Sequence, residues 1–219
     1  MRQQPLRNTV SLPLRPLARG ELPRGTIALA KFLVGKVLVR EDENGVLTGR
    51  IVETEAYPPG DDACHARSGR TARNASLFLA HGHVYVYRAY GTAMMLNMSS
   101  EEEGIGAGVL IRAAEPLTGI DVMRQRRGVE DVHRLAKGPG CLAQAFDIGF
   151  GLDGSAYGAG NALWLADDGA KAPRIGCSVR IGITRNADKP WRFFVRGSRF
   201  VSGPAKLNGQ VRRPAQARG

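Results

Sequence analysis

Glu53 and Glu55 stand two positions apart in the segment GRIVETEAY, residues 49–57. In a β-strand alternate side chains share a face, so both carboxylates point one way, followed by Tyr57, with Thr54 and Ala56 opposite. Neighbouring like charges repel. Either both face water, or one is held in a site where its proton affinity serves chemistry. An aromatic ring beside a carboxylate suits attack on a ring-bearing substrate. Pro58-Pro59-Gly60 then breaks the strand, and the next loop carries His65, Arg67, Arg70 and Arg73. Of the five tyrosines, four are Tyr57, Tyr85, Tyr87 and Tyr90. Tyr85 and Tyr87 share a strand face, and Tyr90 precedes Gly91, where the chain can turn sharply. Aromatics that stack on bases, beside cations that hold phosphates, form a nucleic-acid-binding combination.

The charge balance agrees with that chemistry. The 219 residues carry 31 Lys+Arg against 20 Asp+Glu, a formal net charge of +11, and the pI is about 10.2. Such an excess is the electrostatic footprint of a nucleic-acid partner. No apolar run reaches the roughly 20 residues of a membrane span, so no membrane partner is expected. Cys64, Cys141 and Cys177 are few, odd in number and far apart, which fits a reducing cytoplasm rather than a disulfide framework. The N-terminus lacks the layout of a secretion signal. A P-loop and a dinucleotide fingerprint are both missing. Cys64, His65, His81 and His83 do not follow a zinc-deaminase spacing, so neither metal nor cofactor is expected.

The elements that must position these residues follow from periodicity and turn signals. Residues 26–34 have helical spacing with Thr26 as cap. KVLVRED and LTGRIVETEAY are strands joined across Glu43-Asn44-Gly45, a hairpin turn signal. HVYVYRAYG, TAMMLNMSS and AGVLIRAAEP are further strands, and SVRIGITR and WRFFVRG are two late ones. Helical spacing covers 117–127, and a turn followed by a helix covers 135–148. Residues 1–24 hold four prolines and five arginines against one acid, which predicts an extended basic arm. Residues 206–219 read as a basic tail. The remaining 25–205 should form one domain of α+β class, a curved, largely antiparallel sheet with flanking helices.

The segments GRIVETEAY, HARSGRTARN, YVYRAYG, LNMSS, VLIRAAEP and KGPGCLAQAF resemble, in order and spacing, the alkyladenine (3-methyladenine) DNA glycosylases. The resemblance runs from about Gly25 to Ser202. It implies base excision from double-stranded DNA: a damaged purine is flipped out and its N-glycosidic bond hydrolysed, without metal or redox cofactor. By similarity Glu55 is the base that activates water, helped by Arg112 and by a backbone carbonyl near Val195. Tyr57, His65 and Tyr87 form the base pocket, and Asn97 excludes a guanine amino group. Tyr90 is the wedge that enters the gap in the stack, and Arg70 and Arg73 bind phosphates. Water as nucleophile implies no Schiff base and no strand nicking. A cytoplasmic monomer is expected, nucleoid-associated in a bacterium.

Arg88, Met94 and Met95 beside the wedge depart from the family pattern and bear on lesion range, while Glu53 is left without a role. A different class is also open. KGPGCLAQA carries the G-x-G turn of a helix-hairpin-helix backbone clamp, which would make the chain a non-catalytic DNA-binding module.

Overall fold

The computed structural model describes residues 13–209. Among them, nine strands form one open antiparallel sheet with five helices around it. Its centre is the long strand β3 (Gly45–Tyr57), which pairs with β2 (Val37–Asp42) across the Glu43-Asn44 turn. The sheet runs in the order β1 (Arg15–Pro16), β7 (Leu163–Asp167), β2, β3, β6 (Gly108–Thr118), β5 (Ala93–Ser99), β4 (Val84–Ala89). Where β2 ends, β9 (Arg192–Val195) takes over the same edge of β3, and β8 (Ile175–Ser178) pairs with β9.

The register of β3 against β6 is irregular around Ile51–Thr54. Ile51 and Ala56 both belong to the main core, although strict alternation would put residues five apart on opposite faces. The irregularity resolves that conflict, as β-bulges do. Beyond it, Thr54 and Ala56 turn towards the core, where the Thr54 hydroxyl donates to the Ala30 carbonyl at 2.8 Å. Glu53, Glu55 and Tyr57 share the other face, as alternation requires.

The buried apolar residues of the first four helices all enter the main core. In α1 (Thr26–Leu33), Leu29, Ala30 and Leu33 are fully buried. Thr26 is not its cap: Gly25 holds that position, and the Thr26 amide and hydroxyl both donate to Glu101. The remote carboxylate thus satisfies the helix start, where orphan amides favour an anion. Helix α2 (Ile120–Arg127) ends at Gly128 in the left-handed conformation, the usual stop. After α3 (Val132–Leu135), Lys137 bridges to Ala113 of β6, and α4 (Pro139–Ala145) packs on β5 and β6. The KGPG turn is therefore stitched to the sheet rather than standing out as a separate DNA-clamping hairpin.

Three expectations change. Residues 13–24 are not an extended arm: Arg15 and Pro16 pair with β7, and Leu17 and Leu22 are buried. Proline is tolerated there because β1 is an edge strand. Residues 206–209 are tied in as well, since Asn208 of α5 (Ala205–Asn208) accepts from Arg192 at 2.7 Å. The rest of the arm and tail, 1–12 and 210–219, lies outside the described residues. Finally, the strand expected over 178–185 sits earlier, at β8, and 179–185 is irregular chain. Strand β7 had no counterpart among the expected elements.

Gly49 marks how closely α4 seats on β3. A Cβ there would lie 2.8 Å from the Phe146 ring and 3.2 Å from Ala114 Cβ. Gly49→Val is expected to cost about 1–3 kcal/mol by overpacking, seen as a lower urea midpoint with an unchanged slope.

Candidate active site

Glu53 and Glu55 are both fully buried, so neither is a solvated strand carboxylate. They are distinguished by their partners. Glu53 Oε1 accepts from Arg112 Nε at 2.8 Å, Arg192 Nε at 2.7 Å and Ser202 Oγ at 3.0 Å. Its Oε2 accepts from the Ser202 amide at 2.7 Å. Glu53 thus accepts four bonds, three of them on one oxygen, against the roughly four acceptor positions of a carboxylate. Glu55 Oε2 accepts from Tyr57 Oη at 2.9 Å and Arg112 Nη1 at 3.2 Å, while Oε1 accepts only from the Ile181 amide, at 2.8 Å. Glu55 therefore keeps one acceptor position open.

Proton affinities follow the same division. Burial pushes the Glu55 carboxyl above its ordinary value, and Arg112, the Ile181 amide and Tyr57 oppose that only in part. Glu53 is as deeply buried, but the combined pull of Arg112, Arg192 and Ser202 outweighs desolvation and holds it below the usual range. Arg112, at the centre of β6, is held between the two carboxylates, and its own affinity for its proton rises.

Tyr57 forms the wall of a cleft next to Glu55. Behind it lies a second buried ion pair: the Arg180 guanidinium bonds to both Asp61 oxygens and donates to the Ala56 carbonyl at 2.9 Å. That guanidinium lies 4.6 Å from the Tyr57 ring centroid and 5.0 Å from that of Trp191. The cation fixes Tyr57 from one side, while burial and then the Glu55 carboxylate keep the Tyr57 hydroxyl protonated.

The upper part of the cleft is a cavity of about 270 Å³ lined by Tyr57, His65, Tyr85, Tyr87 and Asn97, with Arg73 and Tyr90 at its edge. The His65 and Tyr87 rings meet edge-on at 4.3 Å, and Tyr85 stacks on Tyr87 at 5.5 Å. His65 Nδ1 shares a hydrogen bond with Tyr85 Oη at 2.9 Å. Desolvation, then Arg73, lower the pKa of His65, which favours the neutral ring. Burial raises the Tyr87 hydroxyl to about 12. Both Asn97 amide hydrogens are committed, to the Tyr85 and Met95 carbonyls, so towards a ligand Asn97 is an acceptor and a steric stop. A lower extension of the cleft is bounded by Arg112, Met95, Gly138, Cys141 and Ile181.

Tyr90 stands at the rim, 86% exposed, with φ of 52°. With Gly91 at 74° and the Thr92 amide bonded to the Ala89 carbonyl, it forms a β-hairpin turn of the primed type. A bulky residue in that conformation is uncommon and holds the ring out into solvent. Arg73 reaches the cavity edge, and both it and Arg70 are exposed in the loop organised by Asn74, whose amide donates to the His65 and Gly69 carbonyls. Arg88 lies over the half-exposed Phe150 ring, and Met94 packs against the core instead of the cleft.

Val195 is the site residue that the structure displaces. It lies at the far end of β9, beyond Phe194, which pairs with Glu53, and its carbonyl accepts from the Ser198 amide. The late backbone segment that reaches Glu55 is Ile181–Gly182, in the irregular stretch before β9. Sequence reasoning also missed Asp61, Asn74, Arg180, Arg192 and Ser202. Among these only the bare arginines could have signalled a site, because their partners are far away in the chain. Among the described residues, no group of three or more His, Cys, Asp or Glu comes together as a metal cluster, and no helix is long and apolar enough to cross a membrane.

A buried, partly uncommitted carboxylate thus lies beneath a tyrosine-lined cleft with an exposed aromatic at its rim. Residues 21–199 match the family model of the methylpurine-DNA glycosylases. A protein of Mesorhizobium japonicum named "Putative 3-methyladenine DNA glycosylase" is 58% identical, over 88% of this chain and 92% of its own length. Proteins of the same name from Paraburkholderia phytofirmans and Chlorobaculum parvum are 48% and 50% identical. They cover 90% and 81% of this chain, and 92% and 86% of their own lengths. The chain belongs to the methylpurine-DNA glycosylase family. It is thus a DNA glycosylase, a hydrolase acting on N-glycosyl bonds, with DNA as its partner.

The Asp61–Arg180 pair tests how the cleft wall is held. Asp61→Asn leaves a buried guanidinium without its counter-charge and is expected to cost about 3–5 kcal/mol, measured by denaturant unfolding.

Proposed function

We propose that the protein turns alkylated or deaminated purines, of the 3-methyladenine, 7-methylguanine, hypoxanthine and ethenoadenine class, out of duplex DNA, and that a water activated by Glu55 hydrolyses the N-glycosidic bond. The observation that carries this reading is the open acceptor position on a fully buried carboxylate whose affinity for protons is raised. A base of that kind takes a proton from water more readily than an ordinary carboxylate, and its charge stabilises an oxocarbenium-like sugar.

The remaining roles follow from placement. Tyr57, His65 and Tyr87 sandwich the extruded purine; stacking worth about 1–3 kcal/mol per base offsets the few kcal/mol of unstacking. Asn97, with both hydrogens committed, limits purines by bulk at its edge. Tyr90, already held outward, fills the gap left in the stack, and Arg70 and Arg73 hold phosphates near the lesion. Arg112 orients the water with Glu55. The backbone at Ile181–Gly182 takes the part first assigned to Val195, because it lies beside Glu55. No lysine amine is used, so the product is an intact strand with an abasic site.

Duplex DNA with one hypoxanthine, incubated with the protein and then treated with alkali, should break at the lesion. Glu55→Gln should lower excision at least about 100-fold while lesion binding persists; undiminished excision by that variant would falsify the assignment. Breaks without alkali would show lyase chemistry and overturn the hydrolytic reading. Tyr90→Ser should weaken binding of lesion DNA with the fold intact, and equal affinity would remove the wedge role. Since Glu55 must be ionised to act, and its affinity for protons is raised, activity should fall on the acid side at a pH above the ordinary glutamate value of 4.5.

A further inference from the structure

We propose that Glu53 is a positioning residue: gripped by Arg112 and Arg192, it aims the Arg112 guanidinium at Glu55 and cancels one of the two positive charges buried beside that carboxylate. The inference rests on Glu55 acting as the base.

The geometry is a chain of alternating charge across three strands. Arg192 of β9 donates through Nε to Glu53 at 2.7 Å, Arg112 of β6 donates through Nε to the same oxygen at 2.8 Å, and Arg112 Nη1 reaches Glu55 at 3.2 Å. Arg192 is itself fixed by Ser178 Oγ at 2.9 Å, the Ser202 carbonyl at 2.9 Å and Asn208 Oδ1 at 2.7 Å. Arg192, Glu53 and Glu55 are fully buried and Arg112 is nearly so. The Arg112–Glu53 contact is the shorter of its two carboxylate bonds. Glu53 therefore sets the plane of the guanidinium, and Glu55 receives the weaker contact.

That division has a chemical consequence. An arginine committed to Glu55 alone would stabilise its ionised form strongly and make it a poor proton acceptor. With Glu53 taking the shorter bond and balancing Arg192, the four charges sum to zero when Glu55 is ionised. The other groups around Glu55 are the Tyr57 hydroxyl on β3, Tyr87 on β4, the Ile181 amide and Arg180 of the preceding loop, and Cys141 of α4 in the lower cleft. Arg180 is matched by Asp61. Glu53 is the one carboxylate beside Glu55 within the chain of charges, and it is held by Arg112, Arg192 and Ser202, so it acts on Glu55 through Arg112 and through charge.

Two charge changes of opposite sign test this. Single-turnover excision of hypoxanthine from duplex DNA is measured from acid to neutral pH for the wild type, Glu53→Gln, Arg192→Met and Arg192→Lys. Glu53→Gln removes a negative charge, makes ionised Glu55 easier to form, and should move the acid limb down by about one pH unit. Arg192→Met removes a positive charge and should move the limb up, whereas Arg192→Lys keeps the charge and should leave it near the wild-type position. A purely structural role would lower the amplitude in each variant and leave the limb in place. An unmoved limb, or movement of both variants in one direction, overturns the proposal. If Glu53→Gln does not fold, the comparison of the two Arg192 variants decides by itself. A wild type that excises no base overturns the base role of Glu55 and this inference with it; an active wild type with unmoved limbs overturns the inference alone.

Discussion

The Arg192–Glu53–Arg112–Glu55 chain is the constraint to which much of the structure answers. Four charged side chains leave water together, at a desolvation cost of several kcal/mol for each ion. Such a cluster is tolerable only with near-ideal geometry and nearly every donor and acceptor engaged. The requirement fixes three strands at once, because β3, β6 and β9 each supply a member. It also recruits Ser202 and Asn208 from the end of the described chain to close the bonding of Glu53 and Arg192. Apolar residues of similar volume could fill the same space at no loss of stability. A fold that keeps charges here is therefore organised around what they do rather than around the stability they add.

Within that chain, two glutamates of the same strand face have become unlike groups. Their difference comes neither from residue type nor from burial, which are the same, but from bonding. Four accepted bonds make Glu53 a fixed anion, and three accepted bonds leave Glu55 with room for one more donor. The irregular register of β3 at Ile51–Thr54 makes the pairing possible. It turns the strand so that apolar residues on either side of it reach the same core while the carboxylates reach the arginines.

Local features of this arrangement were legible in the sequence and remote ones were not. The shared face of Glu53, Glu55 and Tyr57 follows from a period of two, and the β2–β3 hairpin from its turn residues, and both are present. The clustering of Tyr57, Tyr85, Tyr87 and Tyr90 likewise carried over into one cleft and its rim. Periodicity reports which side chains share a face, however, and is silent about what covers that face. The burial of Glu53 depends on Arg192 and Ser202, which lie 139 and 149 residues further along the chain. Asp61 likewise meets Arg180 across 119 residues. The Val195 assignment went astray for a related reason. Periodicity located the late strand and the resemblance put a carbonyl on it, but the irregular stretch before it, which has no periodic signature, delivers the backbone amide at Ile181.

Charge is thereby divided between two tasks that do not interfere. Arg112, Arg192 and Arg180 are matched one for one by Glu53, Glu55 and Asp61, so the buried site contributes nothing to the net charge of +11. The whole excess lies elsewhere in the chain, including the exposed Arg70 and Arg73, the latter at the cleft edge. Charge exposed to solvent attracts a phosphate backbone over a Debye length and is screened by salt. Charge sealed within the sheet is screened far less. An excess of cations beside Glu55 would have lowered its affinity for protons, and the same excess spread over the surface suits a DNA partner. The alternating ion chain keeps the two apart, because it lets a strongly basic protein hold a carboxylate whose affinity for protons is raised rather than lowered.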